Sequence, residues 1–267
     1  MLASLPMYDL PEVAGATAAW WAGLARWFRR AGLDEVPDRL TQPTDRVAHW
    51  LSPELLFSQT CGYPLTHALV GRVQLVATPC YAAPGCQRSS YRSAIVVAAD
   101  STVATFADLR GTVAAVNGVD SHSGFNVPRS MASAFHRGGR FFSHVTVTGS
   151  HMASLAAVAR GEADIAAIDC VTHALAARHR PRAIEGTRVV LLGPPAPGLP
   201  YIAAGGTDDD RRLRLRDGLG HAFEDADLAT ARDDLLLVGA EWIELTAYDA
   251  VLEMERAAVA AGYAGLT

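Results

Sequence analysis

The sequence predicts an α/β fold with two lobes, on three observations. Apolar runs of strand length alternate at close spacing with segments of helical periodicity, which is typical of mainly parallel sheets flanked by helices. The chain has 267 residues, 50% of them hydrophobic, which is enough for two ordinary cores. Two crossing points, near 98–100 and 194–200, predict a lobe of residues 99–199 inserted into a discontinuous lobe of residues 1–98 plus 200–267. The crossing segments would be hinge strands.

The discontinuous lobe opens with a predicted strand and a long amphipathic helix. In residues 11–30, apolar side chains such as Val13, Trp20 and Leu24 recur at the helical period, with Pro11 in the first turn and Gly32 just past the end. The tryptophans of this helix are expected in the core rather than in a ligand site. Strands are predicted at 3–8, 55–58, 73–77, 91–98 and 201–204, and further helices at 63–70, 208–226, 231–236 and 247–261.

The inserted lobe shows the clearest alternation of strands and helices. Gly111 and Gly161 end two of the predicted helices, and Ser150 is the expected N-cap of the second. Parallel strands are the expected arrangement because short helices connect them. Strands are predicted at 112–117, 145–148, 164–169 and 188–192, and helices at 106–111, 127–135, 149–161 and 171–178.

The segment from Val119 to Asn126, Val-Asp-Ser-His-Ser-Gly-Phe-Asn, is the most informative in the chain. It follows a buried strand and opens a helix, so backbone N–H groups are left without helical partners and carry a partial positive charge. Ser121 and Ser123 add hydroxyls, and Gly124 lets the backbone approach a ligand closely. These features predict a site for a small oxyanion such as phosphate, phosphonate or carboxylate. The alternative is an ordinary helix cap.

Composition excludes several classes of function. The formal net charge of −5 gives no electrostatic reason to expect nucleic acid or an anionic membrane as a partner. No apolar run is long enough to span a bilayer, and no basic and apolar leader precedes residue 3, so either a cytoplasmic protein or a processed, exported form is expected. The chain has no nucleotide-binding glycine motif and no zinc-ligand spacing, so no cofactor or metal is predicted.

The four cysteines leave two interpretations open. Cys80 and Cys86 flank the turn-like segment Tyr-Ala-Ala-Pro-Gly, a spacing typical of either a small disulfide-closed loop or two reduced structural thiols. In an oxidising compartment we expect the disulfide. Cys170 lies between a predicted strand and a predicted helix, where a reactive thiolate is one interpretation and a small packing residue the other.

Five segments resemble the phosphate/phosphite/phosphonate-binding proteins of ABC importers, which have the type II periplasmic binding protein fold. They are Tyr91–Val97, Ala107–Gly111, Asp120–Phe125, Thr148–His151 and Gly161–Asp164, and their order and spacing together are fairly specific. The resemblance covers nearly the whole chain. It implies a monomer that closes its two lobes on a small anionic ligand, an ABC permease as partner, and a periplasmic or extracytoplasmic location if a signal peptide has been removed.

The resemblance also assigns ligand contacts by position. It implies that the oxyanion is held by Ser121, His122, Ser123 and Gly124 at the helix start, with Tyr91 and His151 facing the same interlobe cleft. The discontinuous lobe would contribute Tyr8, Gln59 and Thr60. Aminophosphonate binders are expected to hold the ligand amine with acidic groups, and here only Asp169 lies in a suitable loop. Asp169 would otherwise stabilise a helix start.

Two other classes of function remain as alternatives. One is a cytoplasmic ligand-sensing module that reports to a partner protein through the same closure. The other is an enzyme of the same fold, similar to thiamine-pyrimidine synthases, acting on a small phosphorylated or anionic metabolite. The cysteine-rich cluster of that group is absent, and no Gly-x-Ser-x-Gly nucleophile elbow occurs, so no catalytic residues are predicted.

Overall fold

The computed structural model describes residues 1–266, which form two compact units. Unit 1 comprises Met1–Ala82, Gln87–Ser89 and Pro197–Ala247, and unit 2 comprises Ala83–Cys86, Ser90–Ala196 and the segment from Tyr248 onward. Each unit contains one five-stranded sheet with helices packed on it. The two-lobed α/β fold predicted from the sequence is therefore confirmed.

The sheet of unit 1 is mixed. Its strands are β1 (Leu2–Ser4), β2 (Leu55–Gln59), β3 (Val73–Tyr81), β11 (Tyr201–Ala204) and β12 (Leu237–Glu241). The spatial order is β1-β2-β11-β3-β12; β1 and β2 are parallel, whereas β11 and β12 run antiparallel to their neighbours. The helices are α1 (Ala14–Arg30), α2 (Arg46–Trp50), α3 (Gly62–Thr66), α7 (Asp209–Glu224) and α8 (Ala229–Asp234).

Aromatic side chains fill the core of unit 1. Trp20, Trp21 and Phe28 of α1 are at most 1% exposed. The ring of Phe57, on β2, lies 5.2 Å from that of Phe28 and 4.7 Å from that of Tyr201. The apolar stripe of α1 therefore packs on the sheet as its periodicity predicted, and the tryptophans are core residues.

The sheet of unit 2 has buried residues on both faces. Its strands are β5 (Ser93–Ala98), β6 (Val113–Val116), β7 (His144–Val147), β8 (Ile165–Asp169) and β9 (Thr187–Leu192), in the order β7-β6-β8-β5-β9. Within β5, Ile95 and Val97 belong to one apolar cluster and Ala94 and Val96 to another, so alternate side chains fill the two faces. The helices are α4 (Val127–Ser133), α5 (His151–Ala159), α6 (Cys170–His179) and α9 (Asp249–Ala260).

The predicted domain boundaries need two corrections, and the predicted strand directions need a third. The first change of unit lies between residues 82 and 90 rather than near 98, because β5 pairs with β8 and β9 of unit 2. The C-terminal helix α9 belongs to unit 2, where it packs on α4. Both sheets are mixed rather than mainly parallel: β6 is parallel to β7 and β8, but β5 is antiparallel to both of its neighbours. The change of unit at residues 196–197 lies inside the predicted second crossing, 194–200. There, two short strands, β4 (Ser90–Tyr91) and β10 (Ala196–Pro197), form a separate ladder.

The predicted Cys80–Cys86 disulfide is not formed. Cys80 is buried on β3 of unit 1, whereas Cys86 lies in a turn of unit 2, with its Sγ 3.6 Å from that of Cys170. No disulfide occurs among residues 1–266. The turn between the two residues therefore leads Cys86 away from β3 rather than back to it.

Candidate ligand-binding site

The helix that begins after Ser121 opens with one π-helical turn, His122–Asn126, and continues as α4. Ser121 is the N-cap: its side-chain oxygen accepts a hydrogen bond from the N–H of Gly124 at 3.1 Å. The N–H of Asn126 closes this wide turn by donating a hydrogen bond to the carbonyl of Ser121. Helix geometry leaves the N–H groups of His122 and Ser123, at the first two positions, without helical acceptors. π turns inside helices occur frequently at functional sites.

A second helix start lies against the first. His151 is the first residue of α5, with Ser150 as its N-cap, as the sequence predicted. The Nε2 atom of His151 lies 3.0 Å from the Oγ of Ser123. Ser93 of β5 holds the same segment by donating a hydrogen bond to the carbonyl of Ser123 at 3.0 Å. The resemblance placed Ser123 and His151 in one site, and the structure brings them into contact.

Both histidines of this cluster are neutral at physiological pH. Burial, reinforced by the charge of Arg129, lowers the pKa of His122 to about 4. Burial also lowers the pKa of His151 to about 4, against a smaller opposing contribution from the main chain of Ala167. An imidazolium at His151 is therefore not available at neutral pH to strengthen an oxyanion contact. Any hydrogen bond that these two side chains make to an anion must be that of a neutral imidazole.

The atoms around Gly124 leave no room for a side chain at this position. A Cβ at this position would lie 1.9 Å from the Oδ1 of Asn117 and 3.2 Å from the Cε1 of His151. Asn117 directly follows β6, so the strand end and both helix starts meet at Gly124. The sequence predicted the close approach of a ligand here, whereas the group that approaches Gly124 within unit 2 is the side-chain amide of Asn117.

Gly124→Ala should therefore displace Asn117 or the helix start. We expect a loss of roughly 1–3 kcal/mol in the free energy of unfolding, from overpacking, together with weaker anion binding. Gly220→Ala in α7 is the matched control, because its Cβ would meet no atom within 4 Å. Chemical denaturation measures both variants; equal stability of Gly124→Ala and the wild type would contradict this packing.

Tyr91 lies beside the helix start, and Asp169 has a structural role. The rings of Tyr91 and His122 are 6.2 Å apart, and Tyr91 is 3% exposed. Asp169 is the N-cap of α6, with its Oδ1 accepting hydrogen bonds from the N–H groups of Val171 at 2.8 Å and Thr172 at 3.2 Å. Of the two roles considered for Asp169, the structure shows the helix cap.

The three residues predicted in unit 1 also lie close together. Gln59 donates from Nε2 to the hydroxyl of Tyr81 and to the carbonyl of Leu199, each at 3.0 Å. The rings of Tyr8 and Tyr81 are 5.1 Å apart. Thr60 follows Gln59, and its N–H donates to the carbonyl of Pro200. A small cavity of about 30 Å³ lies beside Tyr8 and Gln59, and none of its lining side chains is charged.

The sequence did not reveal the polar network behind the helix start. Asn126 is fully buried, and its side chain contacts His122, Arg129 and the main chain of Val251. Arg129 is also buried and forms an ion pair of 2.9 Å with Glu255 of α9. Asn126 and Arg129 are spaced i, i+3 on one helix, which is a detectable signal. Their partners in α9 are more than 120 residues away and give no such signal.

The comparisons with known proteins identify the family. Residues 54–243 match the family described as ABC transporter, phosphonate, periplasmic substrate-binding protein. The chain belongs to this family. No protein with curated annotation matches the chain in sequence.

Solved structures of phosphonate-binding proteins have the same fold. PhnD1 from Prochlorococcus marinus, in complex with methylphosphonate, has a TM-score of 0.78 at 14% identity, over 96% of this chain and 97% of that one. A binding protein component of an ABC phosphonate transporter from Pseudomonas aeruginosa has a TM-score of 0.75 at 17% identity, over 98% and 88%. Identities this low show the shared fold alone.

Among residues 1–266 no helix is long and apolar enough to cross a membrane. In the same part of the chain, no three His, Cys, Asp or Glu side chains are grouped so as to bind a metal ion. The match over residues 54–243 makes the chain a substrate-binding protein of the phosphonate family, and the predicted site is a helix start with neutral hydrogen-bond donors.

Proposed function

We propose that this phosphonate-family binding protein captures a small phosphonate or a related oxyanion for an ABC importer, and that unit 2 holds the anion at the start of the α4 helix. The contact between Ser123 and His151 is the observation that carries the proposal, because it brings two predicted ligand residues from separate helices together. The donors are the N–H groups of the first turn, the two serine hydroxyls and neutral imidazole. Hydrogen bonds to a charged group each contribute roughly 1.5–3 kcal/mol.

The resemblance assigns Tyr8, Gln59 and Thr60 to the same ligand, and we include them in the proposed site. Their side chains are neutral, as are those of the cavity beside Tyr8 and Gln59. The one acidic residue predicted near the ligand, Asp169, accepts two main-chain hydrogen bonds as a helix cap. These surroundings favour a ligand without an ammonium group, because a buried ammonium that is not paired with a carboxylate is strongly destabilised.

Ligand preference tests the proposed function. Isothermal titration calorimetry should show methylphosphonate binding at least about tenfold more tightly than 2-aminoethylphosphonate, since an unpaired buried ammonium costs more than the corresponding 1.4 kcal/mol. Methylphosphonate should also raise the melting temperature, because a ligand that binds the native state stabilises it. Phosphite and phosphate complete the panel. If none of the four anions gives heat or a thermal shift, the proposed ligand class is wrong.

The Ser123–His151 pair also resembles the nucleophile and base of a hydrolase, which favours an enzyme as the second candidate. The low pKa of His151, about 4, makes it a weak general base at neutral pH. We therefore expect methylphosphonate to be recovered unchanged after prolonged incubation with the protein. Release of inorganic phosphate, absent from a Ser123→Ala control, would establish the enzyme instead.

A further inference from the structure

The side-chain amide of Asn126 has only one orientation that satisfies its neighbours. Its Oδ1 accepts a hydrogen bond from Nη2 of Arg129 at 2.6 Å, and a guanidinium can only donate. Its Nδ2 donates to the carbonyl of Val251 at 2.9 Å, and a carbonyl can only accept. The amide nitrogen, rather than the oxygen, therefore faces Nδ1 of His122 at 3.1 Å.

This orientation determines the tautomer of His122. Because the amide of Asn126 is a donor, Nδ1 of His122 must be the acceptor, and a neutral ring then carries its proton on Nε2. His122 is 1% exposed, and its Nε2 has no hydrogen-bond partner among the described residues. Buried donors are rarely left unsatisfied in native proteins, so this N–H requires an explanation.

The position of His122 points to the missing acceptor. It is the first residue of the helix, between Ser121 and Ser123, where the other candidate donors lie. Asn126 is one turn along the same helix and is held from behind by Arg129, which is paired with Glu255. A lone pair at Nε2 would repel an oxyanion at the helix start, whereas an N–H would bind it.

We propose that Asn126 is a positioning residue, which holds His122 in the Nε2–H tautomer so that this N–H donates to the bound oxyanion. This role rests on the proposed function, since the acceptor is the ligand. The Nε2–H tautomer of His122, however, is a property of the ligand-free protein and does not depend on any ligand. The network of Asn126, Arg129 and Glu255 then affects the affinity for the anion without contacting it.

Nitrogen-15 NMR of the histidine side chains tests the tautomer in the ligand-free wild type at pH 8. The shifts of the His122 ring should be those of the Nε2–H form. Asn126→Asp replaces the amide donor by an acceptor, so His122 should change to the Nδ1–H form. The Kd of this variant for methylphosphonate should rise at least about tenfold, the effect of losing one charge-assisted hydrogen bond. Gln74→Glu is the matched control, because it also replaces an amide that donates to a main-chain carbonyl, in unit 1, and should leave the Kd unchanged.

The same substitution in the His122→Ala variant distinguishes a positioning role of Asn126 from a general structural effect on binding. In His122→Ala, Asn126→Asp should change the Kd less than about twofold, because the residue through which it acts is absent. Equal losses in both backgrounds would overturn the proposal, and so would a wild-type ring in the Nδ1–H form. If Asn126→Asp does not fold, the wild-type spectrum and the Kd of His122→Ala test the proposal instead. A His122→Ala variant that binds methylphosphonate as tightly as the wild type would then overturn the proposal. If the wild type binds no anion of the panel, the proposed ligand class is wrong, but the tautomer of His122 measured by NMR is unaffected.

The contact between Cys86 and Cys170 carries an independent inference. Their Sγ atoms are 3.6 Å apart in the same unit, while Cys61 and Cys80 belong to the other unit. Gly85, which has a φ of +102°, lies against Cys170: a Cβ added to Gly85 would be 3.2 Å from the Cβ of Cys170. Cys170 is 2% exposed and its thiol pKa is raised by Cys86 and by burial, whereas Cys86 is partly exposed and accessible to an oxidant.

We infer that Cys86 and Cys170 form a disulfide when the folded protein meets a disulfide oxidant. The Cys86 thiolate attacks the oxidant and releases one thiol; the Cys170 sulfur then displaces the second thiol and closes the bond. Two cysteine thiols lose two electrons and two protons, and one oxidant disulfide is reduced to two thiols. The bond would join residues 84 positions apart and stabilise the fold by restricting the unfolded chain.

Oxidised glutathione and non-reducing peptide mapping test this pairing. The expected product is the Cys86–Cys170 peptide pair, with a melting temperature roughly 5–10 °C above that of the reduced protein. Cys80→Ser, the matched control, should give the same pair and the same increase, and Cys86→Ser should give neither. A Cys80–Cys86 pair, a stable glutathione adduct at Cys86, or two unreacted thiols would each overturn the inference.

Discussion

Replacing both serines of the helix start, by Ser121→Ala together with Ser123→Ala, is expected to raise the Kd for methylphosphonate by roughly 100-fold or more. Each hydroxyl contributes a hydrogen bond to charge worth roughly 1.5–3 kcal/mol, and a factor of ten in affinity corresponds to about 1.4 kcal/mol. Isothermal titration calorimetry of the double variant measures the loss.

The double variant also loses a helix cap, which must be separated from the loss of ligand contacts. Ser121→Ala removes the acceptor for the N–H of Gly124, at a cost of about 1 kcal/mol in folding free energy. Asp45→Ala is the matched control, because the side chain of Asp45 caps α2 of unit 1 by accepting a hydrogen bond from the N–H of Ala48 at 3.0 Å. The control should lose similar stability and keep its affinity for methylphosphonate. Equal losses of affinity in both variants would mean that destabilisation, not a missing contact, weakens binding.

Lowering the pH from 7 to 5 should remove about 2 kcal/mol of folding free energy through His122 alone. Burial and Arg129 lower its pKa from 6.5 to about 4 in the folded protein, so between these values the unfolded chain binds the proton more readily. The stabilisation is complete above pH 6.5 and is lost progressively as the pH falls towards 4.

Urea unfolding at a series of pH values measures this loss in the wild type and in His122→Gln. The variant should lose about 2 kcal/mol less between pH 7 and 5, because its amide does not titrate in this range. His221→Gln is the control: the side chain of His221 lies on α7 and is 50% exposed. Parallel pH profiles of the wild type and His122→Gln would show that His122 is not held neutral by burial.

Local sequence signals predicted the parts of the site that are built locally. Ser121 and Ser150 each precede a helix and cap it as expected. The close approach of a ligand to Gly124 stays a prediction, and the group that the structure places against Gly124 is the side chain of Asn117. These features depend on a few consecutive residues, so composition and spacing are sufficient to find them.

Features that depend on distant pairing were missed or wrong. A continuous apolar run such as β5 is equally consistent with a parallel and an antiparallel strand, so its direction and its unit could not be predicted. The strand β12, Leu237–Glu241, has only a short apolar signal and forms by pairing with β3. Sequence spacing favoured Cys80 as the partner of Cys86, but the fold brings Cys170 next to it from 84 residues away.

The crystal structure of the protein with methylphosphonate tests the central claim most directly. We predict that phosphonate oxygens lie within about 3.2 Å of the Ser121 hydroxyl, the Ser123 hydroxyl and at least one N–H group of the π-helical turn, the distance of a normal hydrogen bond. A methylphosphonate bound elsewhere, with the helix start still in contact only with water, would contradict the account.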